Sequence, residues 1–412
     1  MERRVVITGL GLITPLGKDV KTTWQNLLKG ESGISRISRF DPSPLPVQIA
    51  GEIKGFDPTE RLDTKLVKRT ERFSQYALWA TIEAVEDAKL NFDSLNKDNV
   101  GVVIGSGMGG LETWEIEHEK FLSRGPSRVS PLLIPIMIPD MAAGQVSIFY
   151  GIRGPNFGTV SACASGAHAI GESFRLIKRG DADVMIAGGT EAPVTAFCIA
   201  AFSNMRALSR RNDEPEKASR PFDRDRDGFV VSEGAGIVIM EELEHALRRG
   251  AKIYGELSGY GTSGDGYHMT APAPNGEGAY IAMEKAIKEA GVSKEEIEYI
   301  NAHGTSTELN DITETQAIKR LFGDWAKRIA ISSTKSMIGH SLGAAGAIEF
   351  VVTALSVYHQ KVHPTINLEN PDPECDLDYV PEGERELKIG CALSNSLGFG
   401  GHNSTLILRR YE

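Results

Sequence analysis

The sequence predicts an α/β fold made of two related halves, and three observations carry that prediction. A run of helix, polar connection, strand and Gly-Ser/Thr turn occurs twice, about 200 residues apart. A small-residue helix next to a buried strand also occurs twice, at Cys163–Arg179 and Leu342–Tyr358. The strand candidates are short apolar runs without polar alternation, as expected for strands covered on both faces by helices. The period is far too long for a solenoid repeat, so the halves are expected to join as one compact unit, residues 1–250 and 251–412.

The elements follow in order. Val5-Val6-Ile7-Thr8-Gly9-Leu10, after Glu2-Arg3-Arg4, faintly mimics a signal peptide. Gly9, Gly11, Thr14 and Pro15 interrupt the apolar stretch and no small-residue cleavage pattern follows, so a buried first strand is expected. Ala77–Ala88 has helical spacing and leads to the strand Val100–Ile104 and the turn Gly105-Ser106-Gly107. After Cys163–Arg179 comes the strand Val184–Ala187. The polar stretch Arg210–Asp227, with its charge run Asp223-Arg224-Asp225-Arg226-Asp227, reads as a surface loop. Ala235–Met240 is another strand. In the second half, the helix Ala279–Ala290 leads to the strand Ile297–Asn301 and the turn Ala302-His303-Gly304-Thr305. The strand Ile329–Ser332 precedes the helix Leu342–Tyr358, and Cys391–Leu393 is a last buried run.

Composition narrows the function classes. The 412 residues include 45 Lys+Arg and 55 Asp+Glu, a net charge of -10, which does not favour nucleic acid as a general partner. The four cysteines, Cys163, Cys198, Cys375 and Cys391, form no C-x-x-C pair, and none has metal-ligand spacing from a histidine. No disulfide framework and no bound metal are expected, and free thiols indicate a reducing compartment. No apolar run reaches the roughly 18 to 20 residues that span a bilayer, so a soluble cytoplasmic protein without membrane contact is expected.

Four segments carry chemistry. In Thr159-Val-Ser-Ala-Cys163-Ala-Ser-Gly166-Ala-His168, a β-like run meets a helix at the cysteine. Unpaired N–H groups and the positive end of the helix are expected to lower the thiol pKa. Small neighbours leave room for substrate; the alternative is a buried structural cysteine. Asn301-Ala-His303-Gly-Thr305-Ser-Thr307 presents an imidazole at a strand end, or else a turn histidine. Ser332-Ser-Thr-Lys335-Ser-Met-Ile-Gly339-His340 ends a strand in hydroxyls, a lysine and a Gly-His pair before a glycine-rich helix start. Ser394-Asn-Ser-Leu-Gly398-Phe399-Gly400-Gly401-His402 is either an N–H-rich oxyanion turn or a tight strand-to-strand turn. One cysteine, two strand-end histidines and an N–H-rich turn form a possible acyl-transfer set.

On these segments, with Arg220-Pro-Phe-Asp-Arg-Asp-Arg-Asp-Gly-Phe229, the chain resembles the β-ketoacyl-[acyl-carrier-protein] synthases over essentially its whole length, and within them the type II enzymes of fatty-acid elongation. The resemblance implies a thiolase-like, five-layered α-β-α-β-α body and a homodimer. It implies no cofactor of the enzyme's own, because the phosphopantetheine arm arrives on acyl carrier protein, loaded with acyl or malonyl groups. Cys163 would take the acyl chain, His303 and His340 would act on the malonyl thioester, and Lys335 would support them. Phe399 would act as a gate, its N–H joining that of Cys163 in an oxyanion site. Thr305 and Thr307 would bind the pantetheine or malonyl group. Met108, Cys198, Phe202 and Phe229 would border the acyl tunnel. Asp311 and Glu349 would support Lys335 and the histidines. Lys65, Lys68, Arg69, Arg124, Arg128 and Arg206 would dock the acidic carrier. Leu397 and His402 replace the Phe and Thr common in relatives, and Met108 is longer than the usual branched aliphatic residue.

Other readings weigh less. Gly105-Ser-Gly107-Met-Gly-Gly110 fits G-x-G-x-x-G, but Arg124-Gly125-Pro126 stands where a dinucleotide site needs a strand ending in an acid. A degradative thiolase would carry a second cysteine near Phe399, and an initiating synthase an asparagine in place of His340. A non-catalytic chain-length factor would lack Cys163. A type I or polyketide ketosynthase of the same fold is the nearest alternative.

Overall fold

The computed structural model describes residues 3–411, so Glu2 of the N-terminal charged stretch lies outside the described residues. Ten strands form the body: β1 Val5–Ile13, β2 Val100–Gly105, β3 Asn156–Thr159, β4 Val184–Glu191, β5 Gly234–Glu242, β6 Gly255–Gly264, β7 Tyr299–Asn301, β8 Ala330–Ser332, β9 Cys391–Gly398 and β10 His402–Arg409. The helices that pack on them are α1 Arg72–Ala88, α2 Leu111–Arg124, α3 Met141–Tyr150, α4 Ser165–Arg179, α5 Ala196–Asn204, α6 Glu277–Ala290, α7 Glu308–Phe322 and α8 Ala345–His359.

The repeat read from the sequence is a repeat of topology. The first five strands lie in the order β3-β2-β4-β5-β1 and the second five in the order β8-β7-β9-β10-β6. In each set the second strand is parallel to the third and fourth, and the fifth is antiparallel to both its neighbours. The two sets join where β1 meets β6 antiparallel, Val5 opposite Leu257 and Ile7 opposite Gly255.

Alternation along the strands builds three cores, and hence five layers. Met185, Ala187, Val238 and Met240 face a central core filled by α4 and α8, while Ile186, Ile237 and Ile239 face the opposite way onto α1 and α3. In the second set, Tyr299, Ala392, Leu406 and Leu408 face the same central core. Ile300, Leu393 and Ile407 face α6 and α7. A two-residue side-chain period on strands buried on both sides produces this division. The thiolase-like architecture expected from the resemblance is thus present.

A glycine pair fixes the outer helix of each half at close range. A Cβ at Gly9 or Gly11 would lie 2.2 or 1.9 Å from the carbonyl oxygen of Ala84 or Ala80 in α1. Gly259 and Gly261 stand in the same relation to Ala286 and Ala282 of α6, at 2.3 and 1.9 Å. Only a residue without a side chain allows this contact.

Two expectations are corrected here. Arg210–Asp227 is not simply a solvated loop, because Arg220, Asp223 and Arg226 are buried within it. Arg220 pairs with Asp223 at 3.0 Å, and Arg226 reaches Asp372 at 2.7 Å and Asp311 at 3.6 Å, so the charges are neutralised inside the fold. Leu342–His359 is in fact apolar and long enough by composition to cross a membrane, but 89% of it is buried within the protein as the turn into α8 and α8 itself. Its one acid, Glu349, is paired with Lys335.

Candidate active site

Strand ends of both halves converge on one cavity of about 470 Å³. Cys163 reaches it from the first half, in the 3₁₀ turn Ala162–Ala164 that opens α4. Ala162 holds φ at 50°, a conformation unusual for a residue with a side chain, and that turn carries the backbone from β3 into the helix. From the second half, β7 delivers His303, and the segment after β8 delivers Lys335 and His340. The β9–β10 hairpin delivers Phe399, so that segment is both a strand-to-strand turn and a wall of the site.

The sulfur of Cys163 and a ring nitrogen from each of His303 and His340 lie within 4.8 Å of one another. No cysteine has metal-ligand spacing from a histidine in the sequence, yet the fold brings these atoms together, because Cys163 lies 140 residues before His303. The hydrogen bonds around the histidines nevertheless do not fit a metal. A ligating histidine donates its other N–H to an acceptor. Here His340 Nδ1 accepts from Leu342 N–H at 3.2 Å, and His303 Nδ1 faces the Lys335 ammonium at 3.3 Å. Both Nδ1 atoms therefore act as acceptors, which places the proton of each neutral ring on Nε2.

Electrostatics keep the rings neutral. Burial and the nearby Lys335 charge push His303 and His340 well below the usual histidine pKa. Lys335 donates to the His303 carbonyl at 2.6 Å and forms an ion pair with Glu349. Burial raises Glu349 to about 7 against the lowering by Lys335. Cys163 departs from expectation: burial raises the thiol to about 11 and outweighs the lowering by Lys335 and by the Phe399 N–H, which is hydrogen-bonded to the sulfur. The helix start does not leave a resident thiolate.

The remaining expected residues divide. Thr305 and Thr307 line the cavity, with their hydroxyls 2.9 Å apart. Met108, Phe202 and Phe229 also line it, whereas Cys198 is buried near the start of α5 and is not part of the wall. Arg206 stands on the wall, while Lys65, Lys68, Arg69, Arg124 and Arg128 are exposed away from it. Glu349 touches Lys335, but Asp311 does not. Asp311 accepts from the N–H groups of Thr305 and Phe222 at 3.0 and 2.9 Å, so it holds the loop rather than the lysine.

Two supporting groups escaped sequence reasoning. Glu314 accepts from His303 N–H and Gly304 N–H, both at 2.9 Å, and so fixes the backbone that carries the imidazole. It sits one helical turn after Asp311 in α7, and that i, i+3 acidic pair was the available signal. Arg226 donates to the carbonyls of Thr307 and Glu308 at 3.1 and 2.9 Å, from within the stretch read as solvated.

This site stands in a fold with close relatives. Residues 2–246 match the Beta-ketoacyl synthase, N-terminal domain, and residues 254–369 match the Beta-ketoacyl synthase, C-terminal domain. The chain is 55% identical over 411 residues to 3-oxoacyl-[acyl-carrier-protein] synthase 2 of Staphylococcus aureus (strain COL), covering 100% of this chain and 99% of that protein. The enzyme of the same name from Synechocystis sp. shares the same identity and coverage. A beta-ketoacyl synthase from Burkholderia phymatum superposes with a TM-score of 0.93 at 37% identity, with 100% of both chains covered. A type II PKS ketosynthase, solved with its acyl-carrier protein and bound to the hexaketide, superposes at 0.92 with 36% identity and the same coverage. With both domains matched and a full-length relative at this identity, the chain belongs to the beta-ketoacyl synthase family.

Proposed function

We propose that this chain condenses malonyl-acyl carrier protein with an acyl group held on Cys163, giving a 3-oxoacyl-acyl carrier protein two carbons longer, as a type II enzyme of fatty-acid elongation. The observation that carries this reading is the pair of neutral imidazoles aimed as Nε2–H donors at the space beside the Cys163 sulfur.

In the first stage the sulfur attacks the acyl thioester carbonyl. The carbon–sulfur bond to pantetheine breaks, and the thiol proton ends on the departing pantetheine thiol. Backbone N–H groups of Cys163 and Phe399 stabilise the tetrahedral oxyanion. In the second stage malonyl-carrier protein binds, its arm against Thr305 and Thr307. The bond to the carboxylate breaks, carbon dioxide leaves, and the electron pair passes into an enolate whose oxygen accepts from His303 and His340. The enolate carbon attacks the acyl-cysteine carbonyl, and collapse releases the Cys163 thiolate, which takes a proton from water. Rings kept neutral and donating serve this second stage better than rings poised as bases.

Further parts of the reading rest on placement. Exposed Lys65, Lys68, Arg69, Arg124, Arg128 and Arg206 would receive an acidic carrier protein. β3 is an edge strand, and Phe157, Val160, Ile148 and Phe149 on and beside it are exposed, which supports a homodimer formed along that edge. Residues 1–250 and 251–412 are taken as the two halves of one unit in a cytoplasmic protein with no nucleic-acid or membrane partner. The enzyme brings no cofactor; the pantetheine arm comes with the carrier. Incubation with acyl-carrier protein followed by peptide mass spectrometry tests the proposal: an acyl adduct on Cys163 is expected, and unmodified Cys163 alongside a fully acylated donor contradicts it.

A further inference from the structure

The topological repeat has a consequence opposite Cys163. The turn that opens α4 is Ala162-Cys163-Ala164, and the turn that opens α8 is Leu342-Gly343-Ala344; both begin with a non-glycine residue at positive φ, 50° and 46°. Gly343 thus occupies in the second half the place of Cys163 in the first. Cys163 faces the end of β9 at Phe399, and Gly343 faces the end of β4 at Glu191. The second centre contains no nucleophile but retains a nest of N–H donors. Glu191 fills that nest: Oε2 accepts from Gly107 N–H at 2.7 Å and Gly343 N–H at 2.9 Å, while Oε1 accepts from the Ser106 hydroxyl at 2.7 Å and Met108 N–H at 3.1 Å. The carboxylate is completely buried, borders the substrate cavity, and leaves no room for a larger residue; a Cβ at Gly343 would lie 2.5 Å from it.

We propose that Glu191 is a positioning residue for the condensation site: it clamps the Leu342–Gly343 turn, whose Leu342 N–H holds His340 as an Nε2–H donor, and it fixes the backbone of Met108 on the cavity wall. This rests on the function proposed above. The link is short: Glu191 to Gly343 N–H, then one residue back to Leu342 N–H, then His340 Nδ1. All four acceptor positions of the carboxylate are used by donors, so a glutamine amide at this position would point N–H at N–H. Glu191 also acts on Cys163 through its charge, which raises the thiol pKa.

The variant Glu191→Ala opens the nest while leaving its donors in place, and formate, a free carboxylate small enough to enter from the cavity, can refill it. Malonyl decarboxylation by E191A is expected to fall at least about 30-fold, with acylation of Cys163 affected less than about 5-fold. Formate should restore decarboxylation at least about 10-fold with saturation. The pH profile of Cys163 alkylation by iodoacetamide should move to lower pH in E191A and return with formate. Glu191→Gln should stay impaired. Decarboxylation by folded E191A at the wild-type rate, or a loss that formate does not relieve, overturns the proposal. If E191A does not fold, Ser106→Ala removes one donor and keeps the charge; an unchanged decarboxylation rate there overturns it equally. Wild-type enzyme that neither acylates Cys163 nor decarboxylates malonyl-carrier protein would instead remove the function on which this rests.

Discussion

Lys335→Met separates the chemical and the structural work of the buried ion pair. Lys335 and Glu349 each have 1% of the side chain exposed, and the ammonium also contacts the His303 carbonyl and ring. Methionine keeps the bulk of the stem but supplies neither charge nor donor. His303 then loses the group that favours its Nε2–H form, and malonyl decarboxylation should fall about 100-fold, or about 3 kcal/mol. Stability should change with pH in a characteristic direction. Glu349 is raised to about 7 in the native protein, by burial against the lowering by Lys335; without the ammonium it rises further. A carboxyl with a raised folded-state pKa contributes stability that is complete below its unfolded value, about 4.3, and is lost as pH rises through the folded value. The wild type should therefore stop losing stability from this group just above pH 7, while K335M continues to lose about 1.4 kcal/mol per pH unit. By pH 8.5 the added deficit is about 2 kcal/mol, measurable as a falling urea midpoint. K335M/E349Q, with no titrating group in the pair, should lose that extra slope. Parallel pH profiles for K335M and wild type between pH 7 and 8.5 would mean that Lys335 does not set the titration of Glu349.

Three further outcomes are expected. Because burial holds the Cys163 thiol near 11, the rate of its alkylation in the free enzyme should rise about tenfold per unit from pH 7 to 10; a plateau below pH 8 contradicts this. Thr305→Val keeps the shape and removes the hydroxyl bonded to Thr307; KM for malonyl-carrier protein should rise about tenfold, a loss of about 1.4 kcal/mol, while Cys163 alkylation stays at the wild-type rate. Asp223→Ala leaves buried Arg220 with only the longer contact to the exposed Glu369, at 3.6 Å, and should cost about 3 kcal/mol in denaturant unfolding; a loss under about 1 kcal/mol would mean that the pair is solvated.

The legible parts of the fold share a physical cause. Apolar runs and small-residue helices are repeated in sequence because each half must cover a sheet on both faces, so the two-half α/β body could be read directly. The strand-end histidines and Cys163 could be found because a reactive group at the end of a buried strand is flanked by small residues and hydroxyls. Other features carry no such pattern. Glu191 accepts backbone N–H groups from distant loops, and a lone glutamate in an apolar strand does not announce its partners; Glu314 accepts from His303 and Gly304 nearby in sequence, and only its i, i+3 spacing from Asp311 hinted at that role. The charge run at Asp223–Asp227 misled because composition cannot distinguish a solvated charge from one closed by Asp311 or Asp372. The thiol of Cys163 misled because a helix start is visible in sequence and burial is not. The Gly9/Gly11 and Gly259/Gly261 pairs were in plain view, but only the contacts with α1 and α6 give them meaning.

In the proposed reaction Cys163 carries the acyl chain while His303 and His340 generate the carbanion, two tasks divided between separate groups in one cavity. Release of labelled carbon dioxide from malonyl-carrier protein by Cys163→Ala measures that division directly. The folded variant should form no 3-oxoacyl product and still release carbon dioxide, and adding His340→Ala should stop the release. Loss of both activities in a folded Cys163→Ala that still binds carrier protein would contradict it.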